Sequence, residues 1–121
     1  MSDGDRRLTC HVLDAGLGRP AAGVPITLSR IVDGSAPDVL VRATTNADGR
    51  TDEPLLDGDE LAPGRYLLEL DFGEHFAGRP GLASTPYLDV VPVRFGVAEE
   101  SGHVHVALLV TPWSYTTYRG S

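Results

Sequence analysis

The sequence predicts an all-β fold, a sandwich of two sheets built from about seven or eight strands with at most one short helix. Two observations carry that prediction. Fourteen glycines and nine prolines are spread through 121 residues, so turns are frequent. The apolar runs between them are short, rich in Val, Ile, Leu and Thr, and repeat with the period of two that a half-buried strand requires. With 41% hydrophobic residues the chain suffices for one core, and residues 1–121 are expected to form one domain.

The strands follow in order. "RLTCHVLD" alternates Leu8, Cys10 and Val12 against Thr9, His11 and Leu13, and the glycines and proline of "AGLGRPAAG" end it. "VPITLSRI" turns Val24, Ile26 and Leu28 one way. "DVLVRATTNADGRTD" is a strand that leaves through an Asp48-Gly49 turn, with Arg50 just beyond. The acidic stretch "EPLLDGDELAPGR" reads as a loop. "YLLELDF" sets Tyr66, Leu68, Leu70 and Phe72 inward, and "GEHFAGRPG" suits one or two turns of helix before Pro80 and Gly81. "YLDVVPVRFGV" places Val91, Val93, Phe95 and Val97 inward. In "HVHVALLV" the residues Val104, Val106, Leu108 and Val110 face the core, leaving His103, His105, Ala107 and Leu109 on the opposite side.

Composition excludes several function classes. A formal charge of −7 and the lack of any Lys/Arg cluster argue against nucleic acid or an anionic membrane surface as partner. No apolar run is long enough to span a bilayer. The single cysteine, Cys10, forms no internal disulfide, and the polar start "MSDGDRRLTC" lacks a signal-type apolar stretch, so the cytoplasm is the expected location.

Chemistry must come from few side chains. Of four histidines, His75 has no visible partner and reads as a surface residue. His11, His103 and His105 all lie opposite the apolar side of their strands, where a ligand can reach them. Their imidazoles suit zinc by type, but no carboxylate or further cysteine stands beside them to complete a site, and no metal or other cofactor is expected. There is no Gly-x-Ser-x-Gly elbow, and Cys10 points to the core like a small apolar residue. The half-apolar stripe His103, His105, Ala107, Leu109 would be exposed in a monomer, which points to a subunit interface.

Five stretches, "CHVLDAGLGRPAAGVPITL", "TTNADGRTDEPLL", "YLDVVPVRFGV", "HVHVALL" and the terminal "YRGS", resemble the 5-hydroxyisourate hydrolases, the transthyretin-like enzymes of urate breakdown. The resemblance covers nearly the whole chain. It implies a transthyretin-like sandwich that assembles as a homotetramer, with sites at subunit interfaces. The implied reaction is hydrolysis of 5-hydroxyisourate to the ureidoimidazoline acid on the way to allantoin, without a cofactor. By the same resemblance His11 of "HVLD", Arg50 of "ADGR" and His105 of "HVH" match catalytic residues, and Tyr118 matches a substrate-contacting tyrosine. His103 matches a pocket histidine of lesser weight, and the Ser121 hydroxyl or the terminal carboxylate orients a histidine or the water. Val104 and Ala107 depart from the commoner "HYHVPLL" without removing a proposed catalytic group. The alternatives are a transthyretin-like carrier that binds a small molecule without chemistry, and a purely structural sandwich. Three histidines, an arginine and a tyrosine facing one cleft suit a carrier's apolar channel poorly.

Overall fold

A computed structural model describes residues 6–120. Their strands are β1 (Arg7–Asp14), β2 (Arg19–Pro20), β3 (Pro25–Arg30), β4 (Asp38–Thr44), β5 (Leu56–Asp57), β6 (Gly64–Asp71), β7 (Val90–Val97), β8 (His103–Val110) and β9 (Tyr115–Gly120). One sheet has the order β2-β1-β8-β9, with β5 also pairing β1; the other runs β4-β3-β6-β7. The two-sheet sandwich matches the expected class. Six of its seven strands of six or more residues were singled out from the sequence; β9 was not, because its residues are almost all exposed and show no inward alternation, and the two-residue strands β2 and β5 merely extend the β1 edge. The helix shrinks to a single turn, α1 (Gly73–Phe76), whose one buried residue is Phe76.

The inward sets are the ones the alternation selects. Leu8, Cys10 and Val12 of β1 meet Val104, Val106, Leu108 and Val110 of β8 beneath Ile26, Leu28, Leu68, Leu70, Val91 and Val93 of the other sheet. Burying such side chains removes apolar surface from water at about 25 cal/mol per Å², the term that holds the two layers together. Burial pushes the Cys10 thiol up to about 11, partly offset by Arg50, which makes it an inert packing residue.

Two readings need correction. The acidic "EPLLDGDELAPGR" is more than a surface loop, because Leu55, Leu56 and Leu61 enter the core and Gly58–Glu60 forms a 3-10 turn. Charge density hid three apolar anchors. His75 is not a free surface histidine either. Its Nε2 lies 2.8 Å from Oδ2 of the buried Asp14, which also accepts a hydrogen bond from Arg79 Nη1 at 3.0 Å, while Asp14 Oδ1 accepts from the Leu17 amide. Burial raises the Asp14 carboxyl, but hydrogen bonds from His75, Leu17 and Arg79 outweigh it and leave it below its ordinary value. The cluster ties α1 to the end of β1. No described helix is long and apolar enough to cross a membrane.

Candidate active site

The site lies on the outer face of the first sheet, and strand register assembles it. β1 and β8 run parallel with Arg7 opposite His103, Thr9 opposite His105 and His11 opposite Ala107. β9 runs antiparallel on the far side of β8, setting Gly120 beside His105 and Tyr118 beside Ala107. Side chains at alternate positions share a face, so His103, His105, Thr9, His11 and Tyr118 converge although Thr9 and Tyr118 are more than a hundred residues apart in sequence.

Arg50 comes from outside the sheet, on a turn fastened to β1. Asn46 makes the turn: its backbone amide bonds the Arg50 carbonyl at 2.7 Å, and its side-chain oxygen accepts from the Asp48 and Arg50 amides. The Gly49 carbonyl then accepts from the Val12 amide at 2.8 Å, which places Arg50 next to His11 in space. Gly49 has φ +75°, and a Cβ there would fall 2.3 Å from the Val12 carbonyl oxygen. Only glycine lets the turn lie against the strand.

His105 lines three clefts, two of which gather Arg50 and the other strand histidines. The first, about 300 Å³, is lined by Arg7, Thr9, Arg50, Asp52, His103 and His105. The second, about 440 Å³, is lined by His11, His105, Ala107, Tyr118, Arg119 and Gly120. The small side chain of Ala107 leaves the second open between His11 and Tyr118. The structure thus brings His11, Arg50, His103, His105 and Tyr118 to adjoining clefts, whereas Ser121 lies outside the described residues.

Electrostatics keep the imidazoles neutral. His105 is 8% exposed, and its pKa is lowered by burial first, then by Arg50, His103 and His11. Burial and Arg50 lower that of His11 against a smaller opposing effect of Asp48, and burial with Arg7 and Arg119 lowers that of His103. A neutral imidazole accepts a proton, and a fixed guanidinium stabilises a developing oxyanion. Among the described residues no ion pair consumes Arg50. No set of three His, Cys, Asp or Glu side chains among them is arranged to hold a metal.

Sequence reasoning missed Thr9. Its Oγ1 lies 2.7 Å from both His103 Nε2 and His105 Nδ1. The signal was present, since the alternation of "RLTCHVLD" puts Thr9 on the face of His11, but only the parallel pairing of β1 with β8 sets it between two histidines. Gly120 was read merely as part of a terminal motif. A Cβ on it would sit 2.6 Å from His105 Cδ2, so the imidazole packs directly on the β9 backbone. The expected bare stripe on β8 is also modified, because His105 and Ala107 are already buried within one chain and only His103 and Leu109 are half-buried.

Comparisons with known proteins give a consistent result. The model of the HIUase/Transthyretin family matches residues 8–120. The 5-hydroxyisourate hydrolase of Deinococcus radiodurans is 49% identical over 114 residues, 94% of this chain and 95% of that protein. The structure of Klebsiella pneumoniae 5-hydroxyisourate hydrolase superposes with a TM-score of 0.77 at 34% identity, covering 96% of this chain and 99% of the other. A crystal structure of (S)-allantoin synthase superposes with a TM-score of 0.85 at 41% identity over 100% of this chain, which spans only 46% of that longer one.

Proposed function

The chain belongs to the HIUase/Transthyretin family, and from that premise we propose that it is an enzyme, a 5-hydroxyisourate hydrolase acting in urate degradation. The observation that carries the reading is the meeting of a neutral imidazole, His105, and a guanidinium, Arg50, at one cleft of about 300 Å³. The high identity to a hydrolase over nearly the full length of both chains supports it.

In this reading water is activated by His105 Nε2, with His11 on the other side of the reacting carbon as the alternative base. The water oxygen bonds to a ring carbonyl carbon, and the carbonyl oxygen gains negative charge that Arg50 stabilises. The carbon–nitrogen bond of the ring then breaks, the proton taken from water returns to the departing nitrogen, and the carboxylic acid of 2-oxo-4-hydroxy-4-carboxy-5-ureidoimidazoline forms. Positioned general-base catalysis contributes roughly 10²–10⁴-fold, and one well-placed oxyanion partner about 10²–10³-fold. His103, His11 and Tyr118 hold the flat, polar substrate, and Ser121 orients a histidine or the water. The scheme uses no metal or organic cofactor.

The same reading makes the protein a cytoplasmic homotetramer whose sites lie where subunits meet. The half-buried Leu13 and Leu109, paired across β1 and β8 on the face that carries the histidines, support an interface there. The test is the decay of freshly generated 5-hydroxyisourate, followed by ultraviolet absorbance with increasing protein. Decay that accelerates in proportion to protein supports the hydrolase; saturable binding at the spontaneous rate of decay would support a carrier instead.

A further inference from the structure

Resting on the hydrolase reading, we propose that Thr9 is a positioning residue for the reaction: its hydroxyl links His105 to His103 and fixes which ring nitrogen of His105 is free to take a proton. Oγ1 is 2.7 Å from His105 Nδ1 and 2.7 Å from His103 Nε2. A hydroxyl has one proton to donate and lone pairs with which to accept. Two neutral imidazoles that share it therefore cannot choose their tautomers independently. When His105 carries its proton on Nδ1 and donates to Thr9, Thr9 donates onward to His103 Nε2. Both hydrogen bonds are then made, and His105 Nε2 keeps its lone pair. In the reverse arrangement Nε2 carries the proton and is lost as a base.

The surroundings favour the first arrangement as the working one. Among the described residues His105 Nε2 has no hydrogen-bond partner, whereas Nδ1 is committed to Thr9. The ring cannot easily turn over, because its Cδ2 edge rests on the Gly120 backbone. Threonine is itself stiff about χ1, so its oxygen stays between the two rings. After His105 has taken the water proton, Nδ1–H still donates to Oγ1, now as a charge-assisted and stronger bond. Thr9 thereby stabilises the imidazolium without touching substrate. Register makes this possible, since Thr9 faces His105 directly and His103 stands two residues back on the same face.

Thr9→Val removes the hydroxyl at nearly constant shape, and Thr9→Ser restores it. Turnover and the tautomer of His105, read from imidazole ¹⁵N shifts in histidine-labelled protein above pH 7, are measured for both variants and the parent. The expected result is Nδ1–H in the parent and in Thr9→Ser, and Nε2–H in Thr9→Val. With it, kcat of Thr9→Val falls about tenfold or more while KM stays within about twofold, and Thr9→Ser recovers most of the loss. A parent already protonated at Nε2, a Thr9→Val protein with unchanged tautomer and kcat, or a Thr9→Ser protein as impaired as Thr9→Val would each overturn the proposal. A parent that leaves 5-hydroxyisourate at its spontaneous rate of decay sinks the hydrolase reading instead, and the tautomer measurement still decides the role of the Thr9 bridge.

Discussion

His105, His11 and Arg50 act on one another before any substrate arrives. Burial lowers the pKa of both histidines most, and the positive charge of Arg50 lowers it further. Their folded values therefore lie below the ordinary ~6.5, so the rings stay neutral through neutral pH and protonate only as pH falls below that value. Hydrolysis is accordingly expected to be flat above about pH 7 and to decline on the acid side, with kcat/KM reporting the free enzyme. Arg50→Met removes one of the lowering influences, so the acid limb moves up toward ~6.5 while the plateau falls by about 10²-fold or more. A plateau that falls with the limb unmoved would mean that Arg50 does not act on the base. The shared face of His11, His103 and His105 was legible because alternation assigns strand faces; the turn residues located Arg50, but only the resemblance of "ADGR" to the family motif gave it a role. Thr9 was not, since its role depends on which strand lies beside β1, and a parallel neighbour nearly a hundred residues away leaves no local trace.

Strands β8 and β9 with helix α1 show how elements hold these side chains in place. Gly120→Ala introduces a Cβ that would stand 2.6 Å from His105 Cδ2, so the ring must shift and the bond between its Nδ1 and Thr9 Oγ1 must stretch. Displacement of a catalytic group by about 1 Å costs on the order of 10²-fold in rate, and steady-state kinetics of Gly120→Ala are expected to show a loss of that order with a nearly unchanged melting temperature. Undiminished kcat would show that the imidazole does not depend on this contact. Asp14→Asn tests the other element. It removes the charge that binds His75 and Arg79 and is expected to lower unfolding free energy by about 1–3 kcal/mol, read from urea midpoints near pH 7. The folded carboxyl lies below its ordinary 3.8, so the stability it contributes is present above that value and is lost as pH falls through the lower folded one; the gap between parent and variant closes there. A constant gap down to acid pH would contradict the role of the charge. Strand β8 was readable from period-two patterning, but β9, exposed along nearly its whole length, was not, and neither was the Asp14–His75–Arg79 tie, because it joins residues of separate elements through a fold that brings their ends together.

At the scale of the whole molecule, the outer face of the first sheet carries both the histidines and the half-buried pair Leu13 and Leu109. A symmetric contact there would exclude water from the clefts and strengthen the electrostatics within them. Leu109→Glu sets like charges against each other across such a contact without altering a proposed catalytic group. It is expected to elute as a smaller species by size exclusion with light scattering and to keep its β-type circular dichroism. Retention of the parental mass would place the interface elsewhere. The two-sheet architecture was legible from composition and alternation alone. The exposure of the stripe that suggested assembly was not, because it is partly covered within a single chain by β1 and β9. The proposed hydrolysis requires His105 and Arg50 together to open the ring of 5-hydroxyisourate. Its most direct test is one set of ultraviolet decay traces at equal protein concentration for the parent, His105→Ala and Arg50→Ala. Rapid loss of substrate is expected with the parent and decay close to the spontaneous rate with either variant, all three retaining the same circular dichroism; a folded variant that matched the parent would rule out the role assigned to the residue it lacks.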